Sequence, residues 1–283
     1  MRYTFPMSLS RSSTTDMTLG PITPLMIRFA LPLIAGNLFQ QLYNTVDCII
    51  VGNYVGKEAL AAVNSTTVII NMLVFFFNGF SVGAGVLISR EFGAGKREDL
   101  HRAIQTTLTA TFLLCAAFTL IGVFTVRPML RFMDTPDTAF QEAHDYLSIY
   151  FSGISGVLFY NMGSGILRAV GDSRRPLIFL VISALLNTVL DLLLVLNFHM
   201  GVEGVALATV IANCVSAVFI LLVLFREEGD YGLRWRYLRL DGETLKSIVQ
   251  IGLPTSIQSA ITAFSNVFVQ SYINYFGDAC MAG

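Results

Sequence analysis

An all-helical integral membrane protein is the fold class this sequence predicts, and three observations predict it. Of its 283 residues 54% are hydrophobic and only 13% are charged, against roughly 25% charged in an average soluble domain. The mean hydropathy is +0.65. The apolar residues are gathered into seven runs long enough to cross about 30 Å of hydrocarbon as helices. Helices follow because any other open backbone would leave unpaired amides in lipid.

In chain order, residues 1–24 are rich in Ser and Thr and lack the apolar run of a cleavable leader, so they read as a cytoplasmic tail from which nothing is removed. The seven spans are expected near 26–52, 62–89, 103–126, 144–168, 176–198, 204–225 and 247–276. The first carries Pro32 near its start, where a missing amide and a ring clash favour a bend, which makes Pro32 a candidate hinge. On the second, Gly79 and Gly83 form a small-residue pair suited to close helix packing, and Asn64, Asn71 and Asn78 recur at sevenfold spacing. Phe75, Phe76 and Phe77 point around more than half of that helix and read as packing residues. The stretch with Arg234, Trp235, Arg236 and Arg239 is expected to be a cytoplasmic linker lying along anionic lipid.

Charge sets the orientation. Of the 18 Lys and Arg residues, 15 fall on the side that holds the N-terminus and 3 on the other, which by the positive-inside bias places the N-terminus in the cytoplasm. Location in the plasma membrane as a multi-pass protein follows. The net charge of −1 leaves no basic surplus for a nucleic-acid backbone. Cys48, Cys115, Cys214 and Cys280 lie in or beside apolar stretches without paired spacing, which argues against zinc or a disulfide framework, and they read as small buried hydrophobes.

The chain repeats itself. Ala30-Leu31-Pro32 returns as Gly252-Leu253-Pro254, and Asn53-Tyr54-Val55-Gly56 returns as Asn274-Tyr275-Phe276-Gly277. Six spans separate the copies, so direction is preserved and the units are parallel repeats of the kind found in secondary transporters. The organisation expected is a tail (1–24), a six-helix lobe (25–226), a linker (227–246) and the first helix of an incomplete second lobe (247–283). The missing second lobe is then a required partner, with the lipid bilayer as the surroundings.

Two carboxylates lie within spans, where insertion costs about 2.5–3.5 kcal/mol and function is the default reading. Asp47 sits in the outer half of the first span and Asp191 in the outer half of the fifth, so they can meet at one depth. Asn37, Gln40, Asn44 and Asp47 follow one another at steps of three and four and form one stripe, while Asn187 and Asp191 share a face and Thr209 opens the sixth span. Such an oxygen cluster suits a hard cation like Na+. It suits a proton equally, since two desolvated carboxylates resist joint ionisation.

Several of these stretches together resemble the multidrug and toxic compound extrusion (MATE) transporters. They are Leu31-Pro32 with Asp47, Val51-Gly52 and Ala59-Leu60-Ala61-Ala62; Ile88-Ser89-Arg90 to Gly93-Ala94-Gly95; Leu167-Arg168-Ala169 with Gly171-Asp172 and Pro176; Leu186 to Asp191; and Gly201 to Thr209. The resemblance implies a twelve-helix exporter of small organic, often cationic, compounds, with two lobes around a central cavity, alternating access, and inward Na+ or H+ flow as the drive. It implies a coupling role for Asp47, Asn187, Asp191 and Thr209, support from Tyr146 and Asn161, and inactivity of a single lobe. No cofactor is expected beyond the coupling ion. A lipid-linked saccharide flippase is the alternative, and it would favour cations in the cavity. Neither HExxH nor GxSxG occurs, and His101, His144 and His199 sit at span ends, so an enzyme is disfavoured. A seven-helix receptor would not need the repeat.

Overall fold

A computed structural model describes residues 20–132, 135, 137–227, 231–233 and 239–275. Its helices are α1 (Ile22–Ile50), α2 (Lys57–Gly93), α3 (Arg97–Phe132), α4 (Asp137–Ser152), α5 (Ile154–Ala169), α6 (Arg174–Leu192), α7 (Gly201–Arg226) and α8 (Gly242–Tyr275). π-helical turns prolong α1 over Val51–Val55 and α6 over Leu193–Asn197. Four of the described helical segments are long and apolar enough to cross a membrane: Ile22–Val55, Arg97–Phe132, Arg174–Asn197 and Gly201–Arg226.

The expected spans each coincide with helix, with one difference. The run expected at 144–168 is two helices of 16 residues that meet at Gly153. The break has a steric cause: a Cβ at Gly153 would lie within 2.7–2.9 Å of the Val210 side chain, so only glycine lets this corner approach α7. The other close approach joins α2 to α8. A Cβ on Gly83 would meet the Gly252 backbone at 2.7–2.8 Å, and one on Gly252 would meet the Gly79 carbonyl oxygen at 2.7 Å. Helices whose backbones come this near rely on small residues at the contact, and α8 packs chiefly on α2.

The core forms where apolar residues repeat every four positions: Leu100, Ile104 and Leu108 on α3, and Ile154, Leu158, Met162 and Ile166 on α5 are all buried. Phe77 belongs to this core, its ring edge-on to Phe118 at 4.8 Å. Hydroxyls in α3 are satisfied within the helix, Thr107 donating to the Ala103 carbonyl and Thr111 to the Thr107 carbonyl, both at 2.7 Å. In contrast α1 rests mainly on α6, where Gly36 faces Leu177 and Leu180. None of the α1 apolar window is buried.

Two sequence expectations need correction. Cys48 is exposed rather than buried, because its stretch of α1 borders a cavity. The described flanks of the linker pack on protein: Tyr231 and Leu233 are buried, and the Leu233 amide donates to the Leu224 carbonyl at 2.9 Å. At the far flank the Asp241 amide donates to Thr106 Oγ1 at 3.2 Å. Arg234, Trp235, Arg236, residues 276–283 with the repeat's last positions, and the tail up to residue 19 lie outside the described residues.

Candidate functional site

A cavity of about 580 Å³ lies among α1, α2, α4, α5, α6 and α7, within the 300–1,000 Å³ range of small-molecule sites. The polar stripe of α1 forms one wall: Asn37, Gln40, Asn44 and Asp47 all line it. Their spacing of three and four residues turns them to one side of the helix, away from the exposed apolar residues Leu31, Leu38 and Leu42. Asn71 and Asn78 line it from α2. The side chains of Asn64, Phe75 and Phe76 lie outside the described residues.

At one end the predicted oxygen ligands converge. Asp191 is fully buried, and Asn187 and Thr209 are nearly so. The Asp47 carboxyl on α1 comes within hydrogen-bonding reach of the Asp191 carboxyl on α6. Asn187 joins α6 to α7: in the amide orientation that satisfies both ends, its NH2 donates to Asp191 Oδ2 at 3.2 Å and its oxygen accepts from the Thr209 amide at 3.2 Å. The opposite orientation leaves a contact from Asn187 Nδ2 to Thr209 Oγ1 at 3.3 Å.

Asp47 Oδ1 and Asp191 Oδ1 are buried without a hydrogen-bond partner. Buried carboxylate oxygens of this kind are unusual. Two acid groups so close need a proton or a cation between them. The donor set of carboxylates, amide and hydroxyl suits either. Both acids also stand shortly before a π-helical turn, at Val51–Val55 after Asp47 and at Leu193–Asn197 after Asp191. Such turns shift the helix register and recur at functional positions.

Tyr146 is buried against this end, packed with Val51, Val195, Val202 and Val205, and its ring stacks on Tyr150 at 6.5 Å. Asn161 lines the cavity but stands apart from the four: its Nδ2 donates to the Val157 carbonyl at 2.8 Å within α5, and its own carbonyl accepts from Ser81 at 3.2 Å. Pro32 lines the opposite end, and α1 continues unbroken through it.

Sequence reasoning missed four lining residues: Tyr43, Tyr150, Asn213 and Arg168. Three had a readable signal, since Tyr43 precedes Asp47 by four, Tyr150 follows Tyr146 by four and Asn213 follows Thr209 by four. The Tyr43 hydroxyl reaches Thr209. Arg168 had been counted with the cytoplasmic loop because it ends a span.

The profile of the MatE family matches residues 32–193 of this chain. "Probable multidrug resistance protein YoeA" of Bacillus subtilis is 31% identical over 266 residues, which cover 91% of this chain and 57% of that protein. "Multidrug export protein MepA" of Staphylococcus aureus is 24% identical over 270 residues, covering 93% of this chain and 58% of its own length. Among solved structures, the outward-facing conformation of a multidrug resistance MATE family transporter of the MOP superfamily matches with a TM-score of 0.85 at 28% identity, covering 91% of this chain and 58% of that one. The chain thus spans well under two thirds of the length of these relatives.

Proposed function

This chain belongs to the MatE family, a family of membrane transporters and not of enzymes, and from that premise we propose that it forms the first part of a secondary active exporter of small organic compounds, often cationic ones. Inward flow of Na+ or H+ drives export by alternating access. The six-helix lobe of residues 25–226 and a second lobe opened by α8 enclose the pathway, the N-terminus is cytoplasmic, and the protein sits in the plasma membrane. By itself the single lobe is inactive.

One observation carries this reading: Asp47 from α1 and Asp191 from α6 converge, with Asn187 and Thr209, on the buried end of one polar cavity. A cation held there neutralises two charges that α1 and α6 otherwise bring together against repulsion. Occupancy therefore favours the arrangement with α1 drawn onto α6, and release favours its departure. Differential affinity for two arrangements is what lets a ligand drive a conformational cycle. Pro32 gives α1 a place to bend, and Tyr146 backs the site from α4, with Asn161 farther along the same cavity.

A lipid-linked saccharide flippase would favour several cations in the cavity. Arg168 is the single Lys or Arg among the described lining residues, so the exporter reading stands ahead of it.

The test is dye efflux from vesicles that carry this chain together with its second lobe, under separately imposed Na+ and H+ gradients. One gradient drives efflux, and Asp47→Asn and Asp191→Asn each abolish it at unchanged expression. Efflux that survives both substitutions rejects the coupling role.

A further inference from the structure

The cavity is longer than one drug-sized molecule. Leu33 and Asp47 both line it from α1, and 14 residues of helix separate them, which is about 21 Å at 1.5 Å per residue. A compound that enters from the cytoplasm therefore meets the Leu33 end well before it comes near the acid pair. The charge at that end is Arg168. Together with Leu33 and Asn78 it lines both the cavity and an adjoining groove of about 550 Å³ that Phe29, Val82, Val86 and Phe92 make largely apolar.

Counting charges assigns Arg168 to the cytoplasmic surface, as an anchor at the headgroups. The structure turns it inward. Its Nε donates to the Ser164 carbonyl at 3.1 Å, which fixes the stem of the guanidinium. Tyr160 stands beside it, held by a hydrogen bond of 3.1 Å from its hydroxyl to the Pro176 carbonyl. No carboxylate among the described residues pairs with Arg168, whereas the neighbouring Arg175 is ion-paired with Asp172 at 3.3 Å and Glu227 at 3.6 Å. An arginine keeps four further N–H donors when Nε is engaged, in a planar fork that fits a carboxylate at two points.

We propose that Arg168 is a cargo-recognition residue that reads an anionic carboxylate, so that this cavity prefers amphoteric aromatic compounds bearing both a cationic group and a carboxylate over compounds that are cationic only. The proposal rests on the exporter reading for its biological meaning, but binding tests it without transport. The apolar groove takes the aromatic body, and Asn78, Asn161 and Tyr160 offer the polar edge around it.

The experiment uses the purified chain in phosphatidylcholine nanodiscs. Fluorescence anisotropy compares a rhodamine that carries a free carboxylate with its methyl ester, which differs only in the masked anion. The acid binds about tenfold tighter or more, the span of one charge-assisted contact. Arg168→Gln removes that preference while ester binding is unchanged, which also reports an intact fold, and Arg168→Lys retains part of it. Equal or tighter binding of the ester, binding of neither dye, or a preference that survives Arg168→Gln overturns the proposal. So does loss of the preference when phosphatidylglycerol replaces phosphatidylcholine, because the arginine then serves a lipid headgroup. Failure of gradient-driven efflux with the acid preference intact would fall on the exporter reading instead.

Discussion

Replacing Gly252 by alanine tests the seat of α8 on α2. The added Cβ would lie 2.7 Å from the Gly79 carbonyl oxygen and 3.2 Å from the Phe80 Cα, against 3.4 Å or more in an ordinary contact. The obstacles are backbone atoms, so no rotamer relieves them and the helices must part by about 0.7 Å near Gly79. A gap of 0.5–1 Å forfeits a quarter to a half of the dispersion well for each facing atom pair. Overpacking of this kind typically costs about 1–3 kcal/mol, while alanine returns about 1 kcal/mol of helix propensity. The interface runs along much of α8, which puts the net loss near 2 kcal/mol, or about thirtyfold in the opening equilibrium. Hydrogen exchange of α8 amides over 243–256, measured on the chain in nanodiscs, should speed up by that order. Gly242→Ala is the control, because nothing lies within 4 Å of its Cβ, and it should leave exchange unchanged or slower. Equal protection in Gly252→Ala and native chains would refute the backbone-contact argument.

Two further outcomes follow from the same contacts. Cys48 is exposed and lines the cavity whereas Cys115 is buried, so a small charged thiol reagent should modify the native chain, and Cys48→Ser should remove the fast-reacting fraction seen by mass spectrometry. Asp241 caps α8, accepting from the Thr244 hydroxyl and, at 2.9 Å, from the Thr244 amide, and these bonds hold its carboxyl below the usual carboxylate range. A depressed value means that its contribution is present above the ordinary carboxylate pKa of about 3.9 and disappears as pH falls through the lower folded value. Native and Asp241→Ala chains should therefore differ in thermal unfolding at neutral pH and converge in strong acid. A difference that is constant with pH would remove the ionised cap from the account.

How much of this was legible in the sequence depended on whether a residue's direction could be read from its spacing. Asp47 and Asp191 were found because a bilayer penalises buried charge, and their partner Asn187 because a four-residue step shares a helix face. Tyr43 and Asn213 obeyed the same step and were readable on that ground. The break at Gly153 was not, since its cause is Val210 on another helix, and no periodicity within 144–168 records what a distant residue occupies. Hydropathy likewise counts composition without direction. It marked the neighbourhood of Cys48 as apolar, and so as buried, although α1 turns that stretch toward a polar cavity.

Arg168 exposes the same gap from the opposite side. Positive residues at span ends are normally sorted by a count, and a count is indifferent to whether the side chain leaves the membrane along the outside of the helix or along an internal wall. Both placements satisfy the positive-inside bias equally, so orientation statistics cannot separate an anchor from a ligand-binding group. What separates them is the company kept. Arg175 meets Asp172 and Glu227, whose carboxylates neutralise it and tie α6 to the end of α7, and the Tyr231 hydroxyl donates to Glu227 at 3.0 Å to bring the linker into the same knot. Arg168, seven residues earlier, meets a backbone carbonyl, a tyrosine and open cavity. A guanidinium left without a carboxylate beside a space that admits organic molecules has its remaining donors available to whatever enters. The two arginines thus divide between them the structural and the recognition work that a single tally of basic residues had merged.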